Sequence, residues 1–177
     1  MTSKRPSSNA EKELAEYEAV DPTGYRRALS CFATGVAVVT ALDADGAKTG
    51  ITVNSFSSVS LDPPLVLWSV AEDSMSYDVF TEAGYFAVHV LTRQQHELSS
   101  RFAQRSGDKF AGLDHREGIR GVPILDEYAA LFECSTEQVY PGGDHKIIVG
   151  RVLRFEDRDA KPLVLHRSRF LKPDAAS

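Results

Sequence analysis

The chain has 177 residues, 42% of them hydrophobic, which is enough for one well-formed core and short for two. Its formal net charge of -5 and pI near 5.5, with Lys and Arg scattered rather than clustered, argue against nucleic acid as a main partner. No uncharged apolar run reaches the roughly 18–20 residues of a bilayer span, and MTSKRPSSN lacks the apolar stretch of a signal peptide, so a soluble, cytoplasmic protein with no membrane partner is expected.

In chain order, residues 1–20 are polar and charged, with EKELAEYEA as a possible short helix; they read as an arm, and residues 21–177 as a single domain. Asp21-Pro22 supplies an N-cap and a proline at the first helical position. Tyr25, Ala28, Leu29, Phe32 and Ala33 then form a helical stripe, predicting an amphipathic helix that ends near Gly35. After it the period shortens: VAVVTAL (36–42), KTGITV (48–53), TVNSFSSVS (52–60) and PLVLWSV (64–70) are strand-like runs separated by turn residues. A short helix is expected around Ser76–Ala83, stopped by Gly84, followed by a strand over YFAVHV (85–90). Thr92 is placed to cap a further helix carrying Leu91, Gln95, Leu98 and Phe102 along one side. Residues 105–123 read as a long charged loop, and ALFECSTEQVY (130–140) and HKIIVGRVLRFE (145–156) as two long strands joined across PGGD, with PLVLH (162–166) as a last strand. About seven strands with two or three helices, not alternating one for one, predict a mainly β fold with flanking helices, an antiparallel barrel or sandwich.

The chemistry-bearing residues exclude more than they assign. There is no GxSxG elbow for a serine hydrolase, no HExxH or other zinc spacing among the five histidines, and neither GxGxxG nor a P-loop. No metal site is expected. Asp144 beside His145 suggests part of a triad, but on a strand the two side chains would point to opposite faces, leaving the carboxylate unable to orient the ring. Cys31 and Cys134 read as two small buried hydrophobes. If residues 52–60 are one strand, Asn54, Phe56, Ser58 and Ser60 share a face, which is either a solvated surface or a set of donors for a phosphate. His145, following two glycines, is either an exposed residue at a hairpin exit or one held close to a ligand.

Three motifs in order bear on that choice: FATGVAVVT (32–40), TVNSFSSVSLDPPLVLWSV (52–70) and GGDHKIIVGRV (142–152). With YFAVHVL, DKFAG (108–112) and PLVLHRSRF, they resemble the short flavin reductases that serve two-component flavin monooxygenases, over about residues 22–171. The resemblance implies a split β-barrel, usually a homodimer, that binds FMN or FAD and reduces it with NADH or NADPH for a separate monooxygenase. It implies that Thr52, Val53, Asn54 and Ser55 lie along the isoalloxazine and ribityl chain, that Ser58, Val59 and Ser60 continue toward the phosphate, and that Ser74, Ser76 and Lys109 hold it. Thr34 and Gly35 would pack near the flavin. In the stretch Gly143, Asp144, His145 the histidine would position the nicotinamide about 3–3.5 Å from the flavin, as a near-attack geometry requires. Many members of that family have Ala where this chain has Val53, a difference that bears on the shape of the ring pocket. A flavin carrier without turnover, and an oxidase acting on pyridoxamine phosphate, are the readings that compete.

Overall fold

The computed structural model describes residues 20–171; the expected arm over 1–20 lies outside the described residues apart from Val20. Helix α1 (Pro22–Leu29) starts where the sequence predicts, with the Asp21 carboxylate accepting from the N–H groups of Thr23 and Gly24 at 3.1 and 2.8 Å. It is shorter than expected, because the chain turns at Ser30 to enter strand β1 (Thr34–Gly35), which pairs far downstream with β11 (Val164–His166). No residue of α1 is buried, and the apolar stripe of Tyr25, Leu29 and Phe32 faces outward.

Seven strands form one antiparallel sheet in the order β3-β2-β6-β9-β10-β5-β4. These are β2 (Ala37–Leu42), β3 (Lys48–Val53), β4 (Ser57–Leu61), β5 (Pro64–Ala71), β6 (Tyr85–Val90), β9 (Ala130–Pro141) and β10 (His145–Asp157). The near-continuous apolar run of β2 is buried on both faces, because Ala37, Val39 and Ala41 pack into one core and Val38 into a second. In β5, by contrast, Val66, Trp68 and Val70 are buried while Leu67, Ser69 and Ala71 face a half-exposed side. Trp68 anchors the main core, edge-on to Phe80 and Phe86 at ring separations of 4.9 and 5.9 Å.

The two edge strands of this sheet, β3 and β4, are consecutive in the chain and joined by only Asn54, Ser55 and Phe56. The sheet therefore curls until its edges nearly meet, and those three residues cross the seam without closing it, the geometry of a split barrel. The sequence reading of 52–60 as one unbroken strand is corrected here: the pairing stops at Val53 and resumes at Ser57.

A second core packs Val36, Val38, Leu91, Phe102, Phe110, Leu125 and Leu163 across the other face. Helix α3 (His96–Phe102) lies on β3 because residue 50 is glycine; a Cβ there would come within 2.4 Å of the Phe102 ring. Thr92 is not its cap: the helix starts after Gln95, whose side-chain carbonyl accepts from the Thr92 N–H at 2.8 Å in the preceding turn. Helix α2 (Tyr77–Glu82) falls where expected. The predicted long loop over 105–123 contains a strand, β7 (His115–Glu117), which pairs with β8 (Pro123–Leu125), and β12 (Arg169–Phe170) turns back on β11. Among the described residues no helix is long and apolar enough to cross a membrane.

Candidate active site

Where β3 and β4 part, the main chain loses its ladder. Among the described residues no acceptor is bonded to the N–H groups of Asn54, Ser55 or Phe56, although Ser55 and Phe56 are half-buried. Asn54 and Ser55 border a cleft of about 460 Å³ that is also lined by Thr52, Val53, Ser69 and His145, with Ile51, Ala71, Gly142 and Ile147 completing its walls. Two hydroxyls at its floor are already committed. Thr52 Oγ1 donates to the Ser99 carbonyl at 2.7 Å, and Ser55 Oγ accepts from the Ser69 N–H at 2.9 Å. They fix the shape of the floor and tie β5 to the crossing segment, leaving ligand bonding to the free main chain and the exposed Asn54 amide.

His145 opens β10 at the rim of this cleft, and its position follows from the tight hairpin before it. Gly143 adopts φ +76°, which an L side chain resists, and the Gly142 N–H closes the turn onto the His145 carbonyl at 2.9 Å. Asp144 lies in that turn rather than on the strand. Its carboxylate Oδ1 therefore reaches His145 Nδ1 at 2.6 Å, which corrects the expectation that it could not orient the ring. The carboxyl of Asp144 is held below the usual carboxylate range, chiefly by that hydrogen bond. With Nδ1–H donated to Asp144, a neutral ring presents Nε2, which has no partner among the described residues, as an acceptor on the cleft side.

Ile51 also lines a second cavity, of about 250 Å³, so the two adjoin. This one gathers Ser74, Ser76 and Lys109 with Arg105. Lys109 is half-buried, and burial lowers its pKa. Its ammonium donates to the carbonyls of Gly50 and Phe102, both at 3.0 Å, leaving one of three N–H groups for a ligand. Arg105 donates to the Asp73 carbonyl at 2.8 Å and faces its carboxylate at 3.2 Å.

The sequence-predicted residues thus fall into groups. Thr52, Val53, Asn54, Ser55 and His145 share the main cleft, and Ser74, Ser76 and Lys109 the adjoining one. Thr34 lies in a third recess that Asn54 also borders, next to the exposed Gly35, and Gly143 and Asp144 sit in the hairpin behind His145. Ser58, Val59 and Ser60 line none of these cavities; they lie on edge strand β4, where the register shifts between Ser58 and Ser60. Sequence reasoning missed Ser69, Ala71 and Arg105. The signal for the first two was a small and a polar residue on the alternate face of an otherwise apolar strand; for Arg105 it was a second cation four residues before Lys109. Of the cysteines, Cys134 is buried, with burial pushing its thiol up to about 12, while Cys31 is exposed, against expectation.

Comparison with known proteins bears on this arrangement. Residues 29–173 match the model of the flavin reductase like domain. A Rhizobium meliloti protein described as a "Probable flavin reductase" is 46% identical over 90% of this chain, which spans 51% of that protein's length. An FMN reductase (NADH) of Agrobacterium fabrum is 49% identical over 82% of this chain and 83% of its own. Among solved structures, an NADH:FAD oxidoreductase of Streptomyces globisporus in complex with NAD and FAD fragments superposes with a TM-score of 0.81 at 36% identity, over 90% of this chain and 100% of that one. The match to the domain model over most of the chain, with a split barrel shared by its structural neighbours, establishes that this chain belongs to the flavin reductase-like family.

Proposed function

We propose that the protein is an NAD(P)H:flavin oxidoreductase that reduces FMN or FAD by hydride transfer and passes the reduced flavin to a separate monooxygenase component. The observation that carries this reading is the seam: Asn54 and Ser55, whose main-chain N–H groups have no acceptor among the described residues, line the same cleft as an imidazole with a free nitrogen. Those donors fit a flat heteroaromatic ring with acceptors along one edge, and the cleft is within the range of small-molecule sites. When bound, the flavin supplies the redox chemistry, taking a hydride from the reduced nicotinamide.

The chain's own residues bind and orient. The N–H groups of Asn54, Ser55 and Phe56 and the Asn54 amide hold the ring's polar edge, over a floor set by Thr52, Val53 and Ser69. Ser74, Ser76 and the remaining N–H of Lys109 receive the phosphate, and Thr34 and Gly35 close the far side. His145, fixed by Asp144 across the Gly143 turn, accepts from or stacks against the nicotinamide carboxamide and sets the donor's approach; it moves no proton in this reading. The reading takes residues 21–177 as one domain that forms a homodimer, supported by the outward-facing Tyr25, Leu29 and Phe32 and by Leu61, which is 96% exposed. Ser58, Val59 and Ser60 join the site through that dimer, by bringing β4 against a second subunit. A cytoplasmic location accords with the exposed, unpaired Cys31.

The test is oxidation of NADH and of NADPH by purified protein with no flavin, with FMN and with FAD, followed at the nicotinamide absorbance. Saturable turnover with one flavin is expected. Flavin binding without turnover for any pair would overturn the reductase reading in favour of a flavin carrier.

A further inference from the structure

The third recess, of about 200 Å³, differs in kind from the other two. It is bordered by Arg26 and Ser30 at the end of α1, by Phe32, by Arg167 and Ser168 in the turn between β11 and β12, and by Asn54. No acidic residue lines it. Arg105 in the neighbouring cavity is already paired with Asp73, but among the described residues neither Arg26 nor Arg167 has a carboxylate within 4 Å, and neither guanidinium donates a hydrogen bond. Two exposed guanidiniums that border one small recess, with no ion-pair partner among the described residues, favour an anion between them.

The turn that presents Arg167 is itself costly. Arg167 and Ser168 both have positive φ, 48° and 58°, in a two-residue hairpin loop of the kind that ordinarily uses Asn and Gly. The strained backbone is held by the Arg167 N–H, which donates to the Ser30 carbonyl at 2.8 Å and so locks the turn onto the end of the helix that carries Arg26. A side chain kept where glycine would be easier points to a use for that side chain.

Asn54 connects this recess to the cleft containing His145. The Arg26 charge is the smallest of the contributions to lowering the Asp144 pKa, after the hydrogen bond and charge of His145. The recess is smaller than the roughly 300–1,000 Å³ of a site that engulfs a whole ligand, and so suits one anionic portion of a longer molecule.

We propose that Arg26 and Arg167 clamp the pyrophosphate of the nicotinamide dinucleotide while its nicotinamide end lies against His145. This rests on the reductase reading and adds to it two residues that set donor affinity. The clamp acts on a group common to NADH and NADPH, so it favours dinucleotides over shorter donors without choosing between the two.

The experiment compares steady-state kinetics of the whole chain with Arg26→Ala and Arg167→Gly, the glycine being chosen because it relieves the strained turn. The donors are NADH and the uncharged dihydronicotinamide riboside. For NADH the KM is expected to rise about ten- to a hundredfold in each variant, the loss of charge-assisted hydrogen bonds, with kcat nearly kept. For the riboside, kcat/KM is expected to stay within about twofold, and the dissociation constant of FMN, measured by fluorescence quenching, to stay unchanged. Equal losses with both donors would overturn the clamp, as would unchanged NADH kinetics. Weakened FMN binding with the NADH KM intact would put the flavin's own phosphate in the recess and overturn it too. A wild-type protein that turns over neither donor with any flavin would instead remove the reductase reading.

Discussion

His89 and His145 stand at the ends of two strands of one sheet and do opposite things. His89 is fully buried; its Nδ1–H donates to the Val38 carbonyl and its Nε2 accepts from the Leu125 N–H, each at 3.1 Å. Since a carbonyl only accepts and an amide N–H only donates, the fold fixes one neutral tautomer, and burial lowers the pKa from 6.5 to about 4. His145 is half-exposed, with one nitrogen bound to Asp144 and the other free. The same contrast recurs at other sites, the buried Trp68 Nε1–H, which has no partner among the described residues, being an exception. Inside, the buried Thr40 hydroxyl donates to the Pro123 carbonyl at 2.6 Å and Glu133 accepts from the Ile119 N–H at 2.6 Å. At the seam, the donors of Asn54 to Phe56 are left over. Polar atoms that the chain satisfies by itself hold the barrel together; those it leaves unsatisfied beside a cleft are available to a ligand.

Substitution is expected to cost most at His89. Replacing His89 by Leu strands the Val38 carbonyl and the Leu125 N–H in the core, and is expected to cost about 2–4 kcal/mol in urea unfolding. The wild type carries a related acid dependence. Above pH 6.5 the ring is neutral in both the folded and unfolded chains. Between 6.5 and about 4 only the unfolded chain takes up the proton, so stability falls with pH by up to ~3 kcal/mol and then levels off. This component is expected to vanish from the pH profile of His89→Leu.

At the other histidine the effects exchange places. His145→Ala is expected to leave unfolding within about 0.5 kcal/mol of wild type and FMN binding unchanged, while kcat/KM for NADH drops about tenfold or more. A loss of stability comparable to that of His89→Leu would erase the distinction between the two sites. The smallest effect is expected of Asp144→Asn, an exposed group whose pairing is screened by solvent. A several-fold rise in the NADH KM, absent when the same change is made in a His145→Ala background, would tie the carboxylate to orienting the ring.

Legibility in the sequence followed the range over which each feature is decided. The long strands over 130–141 and 145–157, the buried run of β2 and the capped start of α1 are written in local period and composition, and they were readable. Strand β11 falls within PLVLH, where a last strand is expected, but β1, β7, β8 and β12, each two or three residues long, carry no periodic signal, and β1 exists only because of its distant partner β11. The break at Asn54 was hidden for the same reason: whether a strand continues across a seam depends on how far the whole sheet has curled. For the site, the resemblance of TVNSFSSVS and GGDH to a known family pointed to residues several of which share one cleft, whereas composition alone left a solvated face equally open. The Asp144–His145 contact was misjudged because it turns on where the hairpin ends and the strand begins, a boundary of one residue.

The pairing of Gly35 with Val164, reinforced by the Val36 N–H donating to the Leu163 carbonyl at 3.0 Å, has a consequence for the order in which the protein is made. All seven strands of the main sheet lie before residue 158, so every strand of the sheet has been synthesised before the wall carrying Arg167 is added. The recess beside Asn54 is therefore the last part of the molecule to exist, and a chain interrupted in translation after β10 would carry a finished sheet with no place for the anion.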